Sequence, residues 1–323
     1  MHPLKIPNTS IFIGFTPYHS YVSSKIIDQL DNSKVYCAFT KSWPKTQKQY
    51  NRLGLPIQQP VPGNNILLTF HLSYLLYKIT TTKQAVDIYI PHPGHILSNY
   101  LFFSDIPNKR IFIYEDGLSN YIDASSHNPF IGKLKLTLAR LCGLQYREYS
   151  GHLAGYDAGS YDGAYLSMPD KAVSKDRLGT LHRLSFETQA FASKHNTILF
   201  LDQDVSSRMS AEARDCCIAA MLAAYPPGKY IYHYKPHHDY SSRLSETMQP
   251  LDPKLRNLPA EILIERFRPS HVISFFSSAL VNIKSGWPQV ECVSLAANQI
   301  VISRNGKPSL LHELFQEMGV ICL

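Results

Sequence analysis

The chain has 323 residues, of which 44% are hydrophobic and 18% are charged. This balance excludes an intrinsically disordered protein and is enough for one large or two medium domains. The formal net charge of +7 favours anionic partners such as nucleotides, acidic glycans or an anionic membrane surface. The aromatic residues are spread among apolar runs rather than between basic clusters, so the sequence does not indicate nucleic-acid binding.

The cysteines and the apolar segments bear on the cellular compartment. The six cysteines form no CxxC pair and no zinc-ligand spacing with histidine, which predicts reduced thiols. The N-terminus lacks a basic stretch followed by an apolar run, so we expect no secretion signal. The longest apolar candidate, residues 66–79, contains His71 and Lys78 and is too short to span a bilayer. We therefore expect a cytoplasmic protein, with peripheral association with an anionic inner-membrane surface as a further option.

In the first half of the chain, apolar runs of strand length alternate with segments of helical period. The strand candidates are SIFIGF, KVYCAF, VDIYI and KRIFIYE, and the segments SSKIIDQL and HILSNYLFF lie between them. Residues 130–144 have the pattern of an amphipathic helix. Residues 151–165 are rich in Gly, Tyr, Ser and Asp and indicate a loop or a crossing between domains. The alternation predicts βα units around a parallel sheet.

A second alternating series begins near residue 196. The strand candidates NTILFLDQD, KYIYHYKPHH and HVISFFSSAL alternate with the helical segments SAEARDCCIAAMLAAY and AEILIERF. We therefore predict an α/β protein of two Rossmann-like domains, residues 1–180 and 181–323, with the boundary between residues 161 and 195.

Three short segments carry the chemistry, and the first is Glu115-Asp116-Gly117 at the end of KRIFIYE. The carboxyl ends of parallel strands open into the ligand crevice, where a carboxylate can project while glycine permits a tight turn. An acidic residue before glycine is also common in an ordinary turn, which is the alternative interpretation.

The other two segments lie in the second half. Lys235-Pro236-His237 follows an apolar strand and combines a fixed cation with an imidazole that can donate to a phosphate; the alternative is a surface loop. Ser277 and Ser278 stand at a strand-to-helix edge, where hydroxyls and free amides form a phosphate cradle or simply cap the helix.

The order and spacing of these segments resemble the motifs of bacterial sialyltransferases, particularly the capsule-type polysialyltransferases and their lipooligosaccharide sialyltransferase relatives. These families share an acidic-acidic-Gly motif, a His-Pro motif and a downstream Ser/Thr pair. The resemblance also covers the loop at residues 16–19 and the alternation of strand and helix segments along the chain. It implies a GT-B fold, in which two Rossmann-like domains face each other, the first for the acceptor and the second for the CMP-sugar. One departure is His238, which stands where the families carry proline.

The resemblance also implies an activity and a set of site residues. The activity is metal-independent, cofactor-free and inverting transfer of sialic acid from CMP-sialic acid to a glycan hydroxyl of a surface polysaccharide, O-antigen, capsule or lipooligosaccharide. Asp116 is the implied general base, with Glu115 beside it as a second catalytic candidate, and His237 is the implied partner of the departing phosphate. The implied donor-binding residues are Lys235, Pro236, Glu261, Ser277 and Ser278. Glu261 is implied to accept hydrogen bonds from a ribose diol; the alternative is that its carboxylate only stabilises the N-terminus of a helix through the helix dipole.

The acceptor side has three further candidates. His19 lies at the first strand-to-helix turn, His92 belongs to a His-Pro dipeptide, and Asn99 follows it on the next helical segment. These residues line the acceptor site, or they form an ordinary loop that leads into a helix.

A rival motif leaves other functions open. Asp202 and Asp204 end an apolar strand as Asp-x-Asp, the arrangement with which metal-dependent GT-A glycosyltransferases hold Mg²⁺ or Mn²⁺. That hypothesis ranks second because it leaves the Lys-Pro-His and Ser-Ser segments without a role. A CMP-Kdo-using GT-B enzyme and a non-catalytic glycan-binding module are the remaining alternatives.

Overall fold

The computed structural model describes residues 9–30, 34–39, 51–52, 85–126, 135–137, 139–140, 144–149, 151–186, 191–237, 244, 248 and 250–323. The chain divides into two compact units, Met1–Leu184 and Ser185–Leu323. Each unit is built around its own parallel sheet.

In the described part of the first unit, seven strands form one parallel sheet. The strands are β1 (Thr9–Gly14), β2 (Lys34–Phe39), β3 (Asn51–Arg52), β4 (Val86–Ile90), β5 (Lys109–Tyr114), β8 (Gly163–Leu166) and β9 (Thr180–Arg183), and β6 (Ser125–Ser126) pairs separately with β7 (Gly151–His152). Their spatial order is β3-β2-β1-β4-β5-β8-β9. The order reverses between β1 and β4, which makes this point the topological switch where ligands bind beside the carboxyl ends of the strands.

The core of the first unit follows from the composition of its strands. Every residue of β1 and β4 is buried, as expected for central strands that are covered on both faces. Helix α1 (Pro17–Ile27) follows β1, and helix α2 (Ile96–Phe103) follows β4. Leu97 and Leu101 of α2 are buried in one cluster with the strand isoleucines, and each such side chain contributes roughly 1.5–3 kcal/mol of hydrophobic stabilisation. The helix predicted over residues 130–144 lies mostly outside the described residues.

In the second unit, five described strands form a parallel sheet in the order β11-β10-β12-β13-β16. The strands are β10 (Lys194–Leu201), β11 (Ile231–Lys235), β12 (Pro269–Ser274), β13 (Glu291–Ser294) and β16 (Ile321–Cys322), and an antiparallel hairpin consists of β14 (Val301–Arg304) and β15 (Lys307–Leu310). The helices are α3 (Ala211–Ala224), α4 (Pro253–Arg256), α5 (Ala260–Phe267), α6 (Ala279–Gly286) and α7 (Leu311–Glu317). The switch point of this sheet lies between β10 and β12.

The predicted α/β class with parallel sheets is confirmed, but one segment differs from the prediction. Residues 151–165, expected to form a loop, contain β7 and the first part of β8, which pairs with β5 and β9. A strand of four residues is too short to show a period of two. Close packing explains why glycine occupies position 163, because a Cβ there would lie 2.9 Å from the carbonyl oxygen of Thr180 and 3.0 Å from the ring of Phe112.

Among the helices of the described residues, none is both long enough and apolar enough to cross a membrane.

Candidate functional site

The first candidate site lies where three neighbouring strands of the first sheet end. β1, β4 and β5 are adjacent and parallel, so the residues beyond their carboxyl ends share one edge of the sheet. Phe15, His92 and Glu115 stand one or two positions beyond these strands. The edge therefore collects side chains that are up to 100 residues apart in the sequence.

The first turn of α1 positions His19. Thr16 caps the helix, because its Oγ1 accepts a hydrogen bond from the backbone N–H of His19 over 3.1 Å. Pro17 occupies the first helical position, where its missing N–H costs nothing and its fixed φ suits the helix. The His19 side chain is consequently held against the sheet edge, with 2% of the residue exposed.

A hydrogen bond joins His19 to Asp116, and the backbone identifies its donor. The N–H of Phe15 donates to Nδ1 of His19 over 3.1 Å, so Nδ1 must offer a lone pair and the proton of the neutral ring lies on Nε2. Nε2 is 2.8 Å from Oδ1 of Asp116. The imidazole therefore donates to the carboxylate and has no lone pair with which to take a proton from a substrate.

Asp116 keeps one carboxylate oxygen available. Its side chain is 31% exposed, and Oδ2 lies 3.9 Å from Nε2 of His92, which is beyond hydrogen-bond distance. Burial raises the pKa of Asp116, but the hydrogen bond from His19 and the electrostatic interactions with the His19 and His92 rings outweigh it, so that the pKa lies below its ordinary value. Asp116 is ionised at neutral pH, and Oδ2 is the atom that can accept a proton.

His92 and His95 are held in the same tautomer as His19. The N–H of Gly94 donates to Nδ1 of His92 over 3.1 Å, and the N–H of Leu97 donates to Nδ1 of His95 over 3.3 Å. The His95 ring stacks on Phe15 with their centroids 3.8 Å apart. Burial lowers the pKa of His92 and lowers that of His95 to about 3, so both rings are neutral at pH 7.

Glu115, predicted as a catalytic neighbour of Asp116, is instead fully buried. Its Oε2 accepts hydrogen bonds from the Tyr121 hydroxyl over 2.6 Å and from the Ser167 N–H, and its Oε1 accepts from the Tyr18 hydroxyl over 3.3 Å. Burial raises the pKa of Glu115, and the hydrogen bonds from Tyr121 and Ser167 offset only part of that rise. The Glu115 side chain is therefore enclosed, with its two oxygens held by Tyr121, Ser167 and Tyr18.

Asn99, predicted to line the acceptor site, is also fully buried. Its Nδ2 donates to the carbonyl oxygens of Pro93 and Arg147 over 3.2 and 2.9 Å, and its Oδ1 accepts from the N–H of Arg147 over 2.9 Å. Lys135 donates to the carbonyl oxygen of Gly94 over 2.7 Å. Both side chains therefore hold the loop that carries the His-Pro dipeptide, and Asn99 does not face a ligand.

The turn after Asp116 requires its glycine. Gly117 has a φ of 67°, in the region that residues with a Cβ rarely adopt. The N–H of Asp116 donates to Oδ1 of Asn120 over 2.7 Å, and Nδ2 of Asn120 donates to the Tyr156 hydroxyl over 2.9 Å. These contacts orient the backbone so that the carboxylate of Asp116 meets His19.

The second candidate site lies at the carboxyl edge of the second sheet. Leu201 of β10 is in register with Lys235 of β11 and Ser274 of β12, so the three strands end at one level. Residues 202–204, 236–237 and 275–278 follow them and share this edge.

Lys235 and Glu261 lie within electrostatic reach of each other. Burial lowers the pKa of the half-buried Lys235, and the charge of Glu261 raises it in part. Glu261 stands in the first turn of α5 with 2% of the residue exposed, and its Oε1 accepts from Nδ2 of Asn282 over 2.9 Å. The Glu261 carboxylate, predicted to bind a ribose diol, is therefore not open to solvent. Its hydrogen bond to Asn282 joins α5 to α6.

His237 lies near Asp204, while the serine pair begins α6. Hydrogen bonds from Ser206 lower the pKa of Asp204, and the charge of His237 adds to the lowering. Oγ of Ser277 accepts from the N–H of Ala279 over 3.2 Å, and Ser278 is the N-cap of α6 without a capping bond from its side chain. Pro236 is half-buried between Lys235 and His237. His238, where the families carry proline, lies outside the described residues.

The Asp-x-Asp pair does not present two carboxylates to one point. The Asp202 side chain is fully buried, its Oδ2 accepts from the Tyr234 hydroxyl over 2.7 Å, and its Oδ1 lies 3.6 Å from Arg214. Asp204 is exposed and accepts from Ser206. Across the described ranges, no three His, Cys, Asp or Glu side chains are grouped as metal ligands.

A cavity of about 490 Å³ lies on one face of the first sheet, where Tyr89, Phe112 and His182 are among its lining residues. It lies beside the second residues of β4 and β5, where Arg110 donates two hydrogen bonds to Asp87 over 2.6 and 2.7 Å. Asp116 is not among the residues that line this cavity.

Comparisons with known proteins give a family and a fold. The model of a family described as alpha-2,8-polysialyltransferase matches residues 7–293, and no curated protein matches the sequence significantly. Among solved structures, the chain is similar to an alpha/beta-galactoside alpha-2,3-sialyltransferase from Photobacterium phosphoreum, with 12% identity, a TM-score of 0.56, and coverage of 98% of this chain and 99% of that one. It is similar to a Photobacterium 2,6-sialyltransferase in complex with CMP and lactose, with 11% identity, a TM-score of 0.52, and coverage of 98% and 78%.

The same comparison shows how little the fold alone says about the reaction. A UDP-GlcNAc 2-epimerase from Methanocaldococcus jannaschii matches with 8% identity, a TM-score of 0.50, and coverage of 98% of this chain and 89% of that one. The fold is the GT-B fold that these enzymes share, whereas the evidence for the reaction comes from the family match.

Proposed function

The chain belongs to the alpha-2,8-polysialyltransferase family and is a sialyltransferase, and from this premise we propose that it transfers sialic acid from CMP-sialic acid to a hydroxyl group of a glycan acceptor, with inversion and without a metal ion. The proposal assigns the acceptor glycan to the first unit and the donor nucleotide to the second. The similar 2,6-sialyltransferase structure with CMP and lactose supports a CMP-activated donor and a glycan acceptor.

The hydrogen bond between His19 and Asp116 is the observation that carries the proposal. An imidazole that can only donate orients the carboxylate, lowers its pKa and leaves Oδ2 as the proton acceptor. A base for sugar-hydroxyl chemistry must be ionised before reaction and must reach the proton it removes. Asp116 meets both conditions, whereas Glu115 is fully buried and burial raises its pKa.

The reaction is a single displacement in which atoms and charges balance. The acceptor oxygen attacks the anomeric carbon of sialic acid, and its proton passes to Oδ2 of Asp116. The bond from the anomeric carbon to the phosphate oxygen breaks on the opposite face, so the configuration inverts and CMP leaves with the electron pair.

The second unit supplies the groups that stabilise the departing CMP. Lys235 is the last residue of β11 and His237 follows it, while Ser277 and Ser278 stand at the N-terminus of α6. A cation, an imidazole, hydroxyls and helix N–H groups that are fixed in advance stabilise the charge that grows on a phosphate. A monophosphate carries less charge than the diphosphate of a GT-A donor, so the proposal needs no metal.

The test is to incubate the protein with CMP-sialic acid and a panel of sialylated and galactose-terminated glycans, and to measure CMP release and the glycan product. We expect release that depends on the acceptor and that survives EDTA. Asp116→Asn serves as the matched inactive control, because it keeps the volume of the side chain but cannot take the proton.

Other outcomes would select the alternatives. Activity lost in EDTA and restored by Mn²⁺ would contradict metal independence and indicate a metal site at Asp202 and Asp204. Turnover with CMP-Kdo alone would replace the donor. Binding of glycans with no turnover of either donor would leave a glycan-binding module.

A further inference from the structure

Gln203 lies at the switch point of the second sheet, two residues beyond the end of β10. On the neighbouring strand, Phe276 lies two residues beyond the end of β12, and the two strand ends are in register through Leu201 and Ser274. The residues that follow Phe276 lead directly into α6. Gln203 therefore stands beside the segment that holds the proposed phosphate cradle.

The backbone fixes which end of the Gln203 amide faces outward. The N–H of Phe276 is 2.8 Å from Oε1 of Gln203. A backbone N–H can only donate, so the atom that it meets must be the carbonyl oxygen of the amide, and the NH₂ group must point away from it. The orientation follows from the hydrogen bond alone.

The outward NH₂ group is available to a ligand. Gln203 is half-buried, and within the described ranges its Nε2 has no hydrogen-bond partner and is not among the buried polar atoms that lack one. Asp202 on one side accepts from the Tyr234 hydroxyl through Oδ2 and from the backbone N–H of Gln203 through Oδ1, so both of its oxygens have donors other than this amide. A switch-point crevice with an oriented donor on one wall is suited to a ligand that accepts hydrogen bonds.

We infer that Gln203 is a phosphate-binding residue, whose NH₂ group donates to a phosphate oxygen of the nucleotide at the N-terminus of α6. The inference rests on the proposed CMP-sugar donor and adds a contact to it. Phosphate is favoured over the nucleoside because the Gln203 amide is hydrogen-bonded to Phe276, directly before Ser277 and Ser278 at the N-terminus of α6.

Gln203→Glu tests the contact while it preserves the shape of the site. One carboxylate oxygen still accepts from the N–H of Phe276, and the other replaces the outward donor with a negative acceptor. A hydrogen bond to a charged group is worth enough that its loss weakens binding by about 10- to 100-fold. We expect the Kd for CMP, measured by calorimetry at pH 8, to rise by that factor, and the Kd for cytidine to change by less than about twofold.

The matched control is Gln316→Glu. Gln316 is exposed on α7, the helix that leads into the amino end of β16, so the same change of charge is made at the opposite edge of the sheet. We expect its CMP affinity to equal that of the wild type. Gln203→Asn, which keeps the amide but shortens the side chain, should show an intermediate loss for CMP and decides the question if Gln203→Glu lowers the melting temperature.

The outcomes separate the inference from the function on which it rests. Wild-type protein that binds no CMP overturns the proposed donor and the inference together. Wild-type binding with an unchanged Gln203→Glu affinity overturns the inference alone. Equal losses for CMP and cytidine would place the amide against the nucleoside and overturn the phosphate assignment.

Discussion

Replacement of His19 is the sharpest test of the assigned base, because the two functions of that imidazole have different readouts. His19→Ala removes the donor to Oδ1 of Asp116 and also the acceptor for the N–H of Phe15. A buried group left without its partner costs about 1–3 kcal/mol. We expect the free energy of unfolding to fall by about 2 kcal/mol, as measured by denaturant titration.

The catalytic readout is the acid side of the pH profile of kcat/KM. Burial raises the pKa of Asp116, and His19 is the main group that lowers it, so its removal should move the acid limb to higher pH. The base works only when ionised, so activity at a given acidic pH falls. His19→Gln places an N–H donor on a side chain of similar reach, and it should return the limb toward that of the wild type while it leaves part of the stability loss.

Two results would refute this reasoning. An acid limb that stays in place in His19→Ala, with kcat unchanged at neutral pH, would mean that Asp116 is not the base or is not coupled to His19. A loss of kcat that is equal in His19→Ala and His19→Gln at every pH would indicate damage to the fold instead of a lost donor.

The remaining predictions concern five other side chains. Asp116→Asn should lower kcat by about 10²- to 10⁴-fold in CMP-release assays, with little change in the Kd for CMP. Glu115→Gln should chiefly lower the melting temperature, because its amide NH₂ would face the hydroxyl donors of Tyr121 or Tyr18. A larger loss of kcat in Glu115→Gln than in Asp116→Asn would reverse the assignment of the base. His237→Ala should lower kcat by about 10²-fold, while His238→Pro should be tolerated, and the opposite ranking would shift the motif by one residue. Burial lowers the pKa of His95 to about 3, so the unfolded chain binds more protons than the folded chain below about pH 6.5, and the free energy of unfolding falls by about 2 kcal/mol at pH 5. His95→Asn keeps an acceptor for the N–H of Leu97 and should flatten this pH dependence in denaturant titrations. An unchanged slope in His95→Asn would contradict the prediction.

The fold was accessible from the sequence wherever a strand was long and buried. The strands β1, β4, β5 and β10 are five to eight residues long and contain buried apolar runs such as IFI, IYI and ILFL, and the alternation with helices predicted the parallel sheets. β8 was missed because four residues with a glycine carry no periodic signal. The resemblance to polysialyltransferases, drawn from three short motifs, is confirmed by the family match over residues 7–293.

The site could be predicted only in part from the sequence, because a motif gives residue types and not their surroundings. Glu115 and Asp116 are adjacent in sequence, yet one is fully buried under three donors and the other is 31% exposed. Asn99 has the residue type of a sugar-binding group, but the backbone of Arg147 occupies its amide. Gln203 was overlooked because it was the middle residue of an Asp-x-Asp pattern, and only the contact with Phe276 gives its amide a direction.

Backbone N–H groups, which no sequence pattern displays, decide the acid-base roles in the first unit. Each of three histidines at the strand ends accepts such a group at Nδ1: His19 from Phe15, His92 from Gly94 and His95 from Leu97. A second proton on any of these rings would break that hydrogen bond, and burial also lowers the pKa of His92 and of His95. Proton acceptance at this edge is thereby left to the carboxylate of Asp116, although histidine is the residue type whose ordinary pKa suits a base at neutral pH.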